Sequence, residues 1–418
     1  MNKRKLSLLA ISISLVTGHS LAAGFQLNSQ SATGIGRAFS GDAVIADNAS
    51  VLSRNPAAMA MFDRKALSLG LTYADVDVTI KDVSALGGTI NYGSEDDAAD
   101  NKVIPNIYYI HPINDAFAVG VGAFSNFGTG TDISSLNNTG APVTPVDLLG
   151  ETEIVTSTFN ASVSYRINQQ FSIGAGLDLI YGEGKLKREG QITDNPLSQT
   201  TLVDVEADGW ALGGIVGATY EINDRNRLGM SYRVSPTFKA DGKVNYLGQS
   251  YEEIHIPLPN IFQVAGYHEL SPKWAVHYTA QHTSWGDFDH ITVTGSAPDA
   301  TVKSYHWKNS WLFSVGGTYT INQNWTARAG YMHDKGVVDE VSSLSIPDSD
   351  RNWYTAGASY HLNKNASIDF GVALVRGEDV KVLEDSSVLA GAGLPSSTVV
   401  GHTRSDAVYY SMQYSHLF

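Results

Sequence analysis

Six short polar turns punctuate the chain, and they constrain its architecture more than any other feature. They are Pro112-Ile113-Asn114-Asp115, Ile167-Asn168-Gln169-Gln170, Ile222-Asn223-Asp224-Arg225, Leu270-Ser271-Pro272-Lys273, Ile321-Asn322-Gln323-Asn324 and Leu362-Asn363-Lys364-Asn365. Each carries Asn, Asp or Pro, the residues that reverse a strand. Longer polar stretches lie between and around the turns, at residues 82–100, 128–150, 183–206, 236–253, 286–305, 335–350 and 376–401. The sequence flanking the turns alternates. Phe171, Ile173, Ala175, Leu177, Leu179 and Tyr181 share one parity, with Ser172, Gly174, Gly176 and Asp178 between them. Trp311, Phe313, Val315 and Tyr319 repeat the pattern, as do Ile368, Phe370, Val372 and Leu374. Period two gives each strand one apolar face. Six turns and seven loops imply fourteen antiparallel strands, an even number as in single-chain bacterial barrels, with short turns on one side and long loops on the other. The expected fold class is therefore an all-β transmembrane barrel. A soluble sandwich would not sort its connections by length in this way.

The first residues predict export. Lys3-Arg4-Lys5 form a basic start, residues 6–16 an apolar run, and Ser20-Leu21-Ala22 a small-x-small cleavage site. Residues 1–22 are read as a signal peptide, too short in its apolar run to span a bilayer. No later stretch is long and uncharged enough for a membrane helix. Charged residues make up 17% of the chain, below the roughly 25% usual in soluble domains. A net charge of −14 argues against nucleic acid, which needs cations on its phosphates. The absence of cysteine removes disulfide and thiol chemistry. No nucleophile-elbow pattern suggests an enzyme, and no cofactor or metal is expected. The last strand alternates Tyr410, Met412, Tyr414, His416 and Phe418, an ending that resembles the signal read by barrel insertion machinery. The expected location is the outer membrane of a Gram-negative bacterium, in contact with its lipid and lipopolysaccharide.

Residues 23–65 do not alternate, so the wall is expected to occupy 66–418. Small residues, Ala-rich pieces and Gly breaks suggest short helical turns. A fourteen-stranded barrel has a lumen too wide for wall side chains to fill, so this segment is expected to plug it. Gly34-Ile35-Gly36 is no phosphate loop, because neither a preceding strand nor a following P-loop Lys is present.

Several stretches resemble one known family. They are Ala23-Gly24-Phe25-Gln26-Leu27-Asn28, Gly34-Ile35-Gly36-Arg37-Ala38-Phe39-Ser40-Gly41, Ala46-Asp47-Asn48-Ala49 and Ser53-Arg54-Asn55-Pro56-Ala57. Ser125-Asn126-Phe127-Gly128, Leu258-Pro259-Asn260, Thr283-Ser284-Trp285, Arg328-Ala329-Gly330-Tyr331 and Ile346-Pro347-Asp348-Ser349-Asp350-Arg351 agree as well. Together they are similar to the FadL family of long-chain fatty acid transporters and related hydrocarbon channels. The resemblance implies fourteen strands, a plugging N-terminal hatch and passive uptake of hydrophobic molecules. It implies a ligand carboxylate held by lumen cations, which match Arg188 and Lys308 here; parity on their strands points both inward. It implies a low-affinity groove between residues 183–206, with Leu197, Leu202 and Val203, and residues 236–253, with Phe238, Tyr246 and Leu247. It implies gating by Gly24 and Phe25, with Asn55, Pro56 and Ala57 near a gap in the wall. The third strand carries Gly120, Gly122, Phe124, Asn126, Phe127 and Gly128; Gly within a strand marks a bend or a close approach. The resemblance implies an inward kink here and lateral exit into the membrane. Two alternatives stand beside fatty acid uptake: a channel for aromatic or alkane hydrocarbons, and a surface receptor for phage or host through the long loops.

Overall fold

The computed structural model describes residues 24–418 except 139, 142, 192–198 and 339–342. The expected signal peptide and Leu197 lie outside the described residues. The wall begins at Ala66 and contains fourteen antiparallel strands. They are β1 (Ala66–Ala85), β2 (Lys102–Pro112), β3 (Phe117–Phe124, continued by Gly128–Asp132), β4 (Glu151–Arg166), β5 (Phe171–Gln191), β6 (Gln199–Asn223) and β7 (Asn226–Val234, then Thr237–Tyr246). There follow β8 (Gln249–Pro257, then Ile261–Ser271), β9 (Trp274–Thr283, then His290–Thr294), β10 (Ala300–Ser304, then Ser310–Thr320) and β11 (Trp325–Asp334). The wall ends with β12 (Arg351–His361), β13 (Ala366–Gly377, then Val380–Asp385) and β14 (Thr398–Leu417). β14 returns to β1 in a long ladder, from Ala66 opposite Leu417 to Lys81 opposite His402, and this pairing closes the barrel.

Alternation sets which side faces lipid. On β5, Phe171, Ile173, Leu177 and Leu179 are exposed, while Ser172 and Asp178 are buried. Aromatic rings form two belts. Phe117–Tyr165, Trp274–Tyr319 and Trp325–Tyr360 pack together near the turn end. Tyr181–Trp210 and Tyr331–Tyr354 lie toward the loop end. Phe171 to Tyr181 on β5 and Tyr220 to Trp210 on β6 each span ten steps. At about 3.3 Å per residue and a tilt near 40°, that is a height of about 25 Å, the thickness of an outer-membrane apolar band.

Strands β5 to β8 continue beyond that band. β5 has 21 residues and β6 has 25, whereas spanning needs about 9–11. Much of residues 183–206 and 236–253, read as loops from the sequence, is therefore ladder: Val203 faces Tyr246 and Glu206 faces Lys243. Cross-strand pairing satisfies the backbone there, although the polar alternation looks loop-like in one chain. The lumen face changes character with height. Within the band it is polar, with Ser162, Ser172, Asp178, Thr219 and Ser231. Above the band it is apolar, with Leu186, Val203, Val205, Phe238, Val244 and Ile256.

Residues 24–65 lie inside the barrel and are almost entirely buried. A short helix α1 (Ala32–Gly36) is capped by Ser31, and 3₁₀ turns Ala49–Ser53 and Pro56–Met61 are capped by Asn48 and Asn55, each side chain accepting an N–H of its own first turn. The backbone of this segment rests directly on wall glycines. A methyl group on Gly174 would overlap the Ala57 amide, one on Gly330 the Arg37 carbonyl, and one on Gly371 the Ala32 carbonyl; on Gly229 it would lie 2.5 Å from the Ala43 oxygen. Gly174→Val combined with Gly330→Val is accordingly expected to unseat the segment while leaving the ladder intact. Overpacking of this kind costs about 1–3 kcal/mol per site. Limited proteolysis of residues 24–65 in detergent measures it, and unchanged protection would contradict the packing.

Candidate functional site

The β2–β3 ladder stops partway up. Phe117–Phe124 pairs with β4 throughout and with β2 from Pro112↔Ala118 to Ile107↔Ala123. Above that level Gly128–Asp132 pairs with β4, while β2 from Lys102 to Asn106 pairs with β1. Pro105 lies in this stretch and has no N–H to give to either neighbour. Gly128, Thr129, Gly130 and Thr131 are buried on both faces, so here β3 is drawn away from lipid. The wall is interrupted between β2 and β3.

Chain from the N-terminus covers this interruption from inside. Leu27 N–H donates to the Asn126 carbonyl at 2.7 Å and Gly128 N–H to the Phe25 carbonyl at 2.9 Å. Gln26 bridges Phe127, and the Gln30 amide donates to the Ser125 carbonyl at 2.8 Å. Asn126 and Phe127 thus hold the N-terminal segment. Phe124 lies buried beneath the Arg233 guanidinium, 5.3 Å from its ring centroid. Gly120 and Gly122 stand below the interruption, in the regular part of β3. Their small size meets a different need: a methyl on Gly120 would collide with Leu52 and lie 2.6 Å from the Met59 sulfur, and one on Gly122 would lie 2.8 Å from the Tyr108 ring.

Phe25 is fully buried in an aromatic cage, with ring centroids 4.8 Å from Trp285, 5.0 Å from Phe288, 5.9 Å from Phe127 and 6.0 Å from Trp307. The cage is continuous with the apolar lumen face above the membrane band. Sequence reading did not single out Phe288 and Trp307 as a site. Their signal was large aromatics within connections otherwise rich in polar residues. Gly24 adopts φ +62°, and a side chain there would strike the Trp285 ring; glycine is required on both counts. Its N–H donates to Asp348 Oδ1 at 3.0 Å. Asp348 also accepts from Val337 N–H at 2.6 Å and pairs with Arg351 at 2.9 Å. Burial pushes the Asp348 carboxyl above its ordinary range, against the opposing pull of Arg351 and the two amides.

The two cations from the sequence are placed differently. Arg188 faces the lumen and is buried at the edge of the apolar compartment. It donates to the carbonyls of Glu151 (2.6 Å) and Lys187 (2.9 Å) and to Thr152 Oγ1 (2.7 Å). Lys308 is exposed, and Trp307 takes the buried position instead. The inward parity expected for Lys308 fails because His306, at φ +52°, breaks the extended backbone ahead of Ser310. Asn55, Pro56 and Ala57 sit on β5 and β6, where Asn55 Nδ2 donates to the carbonyls of Ala43 (2.8 Å) and Ala218 (3.1 Å). From this part of the chain it is Leu52 and Met59 that reach β3. Of the groove residues, Val203 and Phe238 are buried in the apolar compartment, Leu202 and Tyr246 are partly buried against it, and Leu247 is exposed.

Comparison with known proteins agrees with this architecture. Residues 13–418 match the family described as outer membrane protein transport protein (OMPP1/FadL/TodX). The long-chain fatty acid transport protein of Salmonella typhi is 34% identical over 415 residues, covering 90% of this chain and 93% of that protein. That of Escherichia coli K12 is 33% identical over 426 residues, with the same coverage of 90% and 93%. The crystal structure of a Pseudomonas aeruginosa FadL homologue superposes with TM-score 0.82 at 23% identity, covering 95% of this chain and 100% of the other. The Pseudomonas putida toluene transporter TodX does so with TM-score 0.65 at 17% identity, covering 89% and 94%. A closed fourteen-stranded barrel and a match along nearly its whole length make this chain a member of the FadL/TodX family of outer-membrane transport proteins.

Proposed function

We propose that this barrel carries long-chain fatty acids passively across the outer membrane. The acyl chain enters the apolar compartment around Phe25, the N-terminal segment shifts, and the ligand leaves sideways through the interruption between β2 and β3. One observation carries the reading: the same short stretch, residues 24–30, fills the aromatic cage with Phe25 and covers the wall interruption with its backbone. Displacing it would free both the pocket and the exit. Burying an acyl chain is worth about 0.8 kcal/mol per CH₂, so a sixteen-carbon chain gains roughly 10 kcal/mol. A water-filled pore offers no such gain. The curated relatives named for long-chain fatty acid transport favour this ligand class. Lipopolysaccharide around the upper belt and insertion machinery acting on Phe418 complete the expected partners.

A hydrocarbon channel is the second reading. It is favoured by the exposure of Lys308 and by the three hydrogen bonds that already occupy Arg188. A binding titration in detergent separates the two, with palmitate competed against toluene in the parent and in Arg188→Ala and Lys308→Ala. Palmitate is expected to bind saturably. Arg188→Ala should weaken it by about 1.5–3 kcal/mol, the worth of a charge-assisted hydrogen bond, and Lys308→Ala by less. Toluene binding without palmitate binding would transfer the assignment to the hydrocarbon channel.

A further inference from the structure

The motif Pro347-Asp348-Ser349-Asp350-Arg351 leads into β12, and uptake as described leaves its last residue unused. Arg351 is 0% exposed. Its Nη2 donates to Asp348 Oδ1 at 2.9 Å, but Nε and Nη1 have no partner among the described residues. Asp334 faces Arg351 across the ladder and accepts from neither nitrogen. Two residues close by in the chain carry further donors without a partner. Trp353 Nε1 is fully buried two residues along, on the same face of β12. Ser349 Oγ lies 3.1 Å from where a methyl on Gly377 would stand, and Gly377 is the ladder partner of Arg351.

A guanidinium is a planar fork that matches a carboxylate with two parallel hydrogen bonds. Buried donors are nearly always satisfied, because an unmet one forfeits its full hydration. Here buried donors on Arg351, Ser349 and Trp353 lack an acceptor beside apolar side chains. Val337 and Ile346 belong to the cluster around Phe25, and Leu344 and Trp353 to a second cluster on the β12–β14 side. An amphiphile whose chain fills the Phe25 compartment could set its head group at this junction.

We propose that Arg351 is a carboxylate-binding site of the channel, the inner station for a fatty acid head group that Arg188 meets first. This rests on the uptake reading above. A second carboxylate at Arg351 competes with Asp348 for the guanidinium. Asp348 is already held high by burial, so it takes up a proton or withdraws, and in either case its grip on the Gly24 N–H weakens. Head-group binding therefore loosens the N-terminal segment, and a ligand without a carboxylate lacks this effect.

The test uses the detergent-purified full chain with palmitate and hexadecanol, which share a chain and differ at the head. Arg351→Gln is expected to weaken palmitate at least tenfold, equivalent to about 1.4 kcal/mol, while hexadecanol stays within twofold. Protease cleavage within residues 24–65 should be accelerated by palmitate in the parent and not in the variant. Equal weakening of both ligands, or of neither, overturns the proposal and leaves Arg351 a structural residue. If Arg351→Gln does not refold, Arg351→Lys carries the same comparison: it keeps the charge and loses the fork, so palmitate alone should weaken, about threefold or more. A parent that binds hexadecanol or toluene but not palmitate overturns the uptake reading itself, and this proposal with it.

Discussion

Replacing Phe25 with alanine is expected to release the N-terminal segment from the pocket and leave the barrel standing. Four aromatic rings surround Phe25 within 6.0 Å, and none of the side chain is exposed. Truncating such a residue costs about 3–5 kcal/mol, part transfer and part cavity. What remains at this end is a handful of hydrogen bonds, chiefly Gly24 to Asp348, Leu27 to Asn126 and Gly128 to Phe25. Each contributes about 0.5–1.5 kcal/mol net, so the loss of Phe25 outweighs any one of them. The barrel ladder involves none of these contacts. Thermal unfolding of the barrel should therefore change little, while residues 24–30 become accessible to protease and hydrogen exchange there accelerates. Unchanged exchange at Leu27 would show that the aromatic cage does not hold the segment. Phe25→Leu, which keeps much of the apolar volume, should lie between the two.

The second large effect lies on the opposite flank of the segment. Asp178 on β5 forms a fully buried pair with Arg233 on β7 and also accepts from Asn160 Nδ2 at 2.7 Å. Arg233 passes the contact inward by donating to the Ser53 carbonyl at 2.7 Å. Asp178→Ala would leave a guanidinium buried without its counter-ion, which costs about 3–5 kcal/mol. The expected result is a clear fall in the unfolding midpoint together with exposure of the 3₁₀ turn Ala49–Ser53. Asp178→Leu with Arg233→Met removes both charges and should recover most of the loss, since two apolar residues leave no ion unpaired. If the double variant were no better than the single, the pair would not be the cause.

Much of the fold was legible because its signals are local. Period-two alternation and turn chemistry are properties of a few adjacent residues, and the six turns read from the sequence each connect the strands expected of them. Strand extent was less legible. Residues such as Glu206 and Lys243 alternate with apolar neighbours yet sit above the membrane band, and only the ladder across to the next strand shows that they are paired. Lys308 illustrates another limit. Parity carries a residue's direction only while the backbone stays extended, and one left-handed residue at His306 cancels it. Gly120 and Gly122 illustrate a third, because a glycine reports that space is needed without naming what needs it. Here it is Leu52 and Met59 of the N-terminal segment.

By itself the sequence determined the barrel, its strand count, its lipid-facing side and the separate character of its first residues. Each of these follows from the solvation of nearby side chains and the geometry of short turns. Tertiary structure alone decided the site. Phe25, Phe127, the neighbouring Trp285 and Phe288, and Trp307 come from four separate parts of the chain and meet only once the wall has closed around the N-terminal segment. The same closure sets Gly24 against Asp348, 324 positions away. Contacts at such separations leave no periodic trace in the chain, because they depend on shape and burial rather than on neighbouring residues.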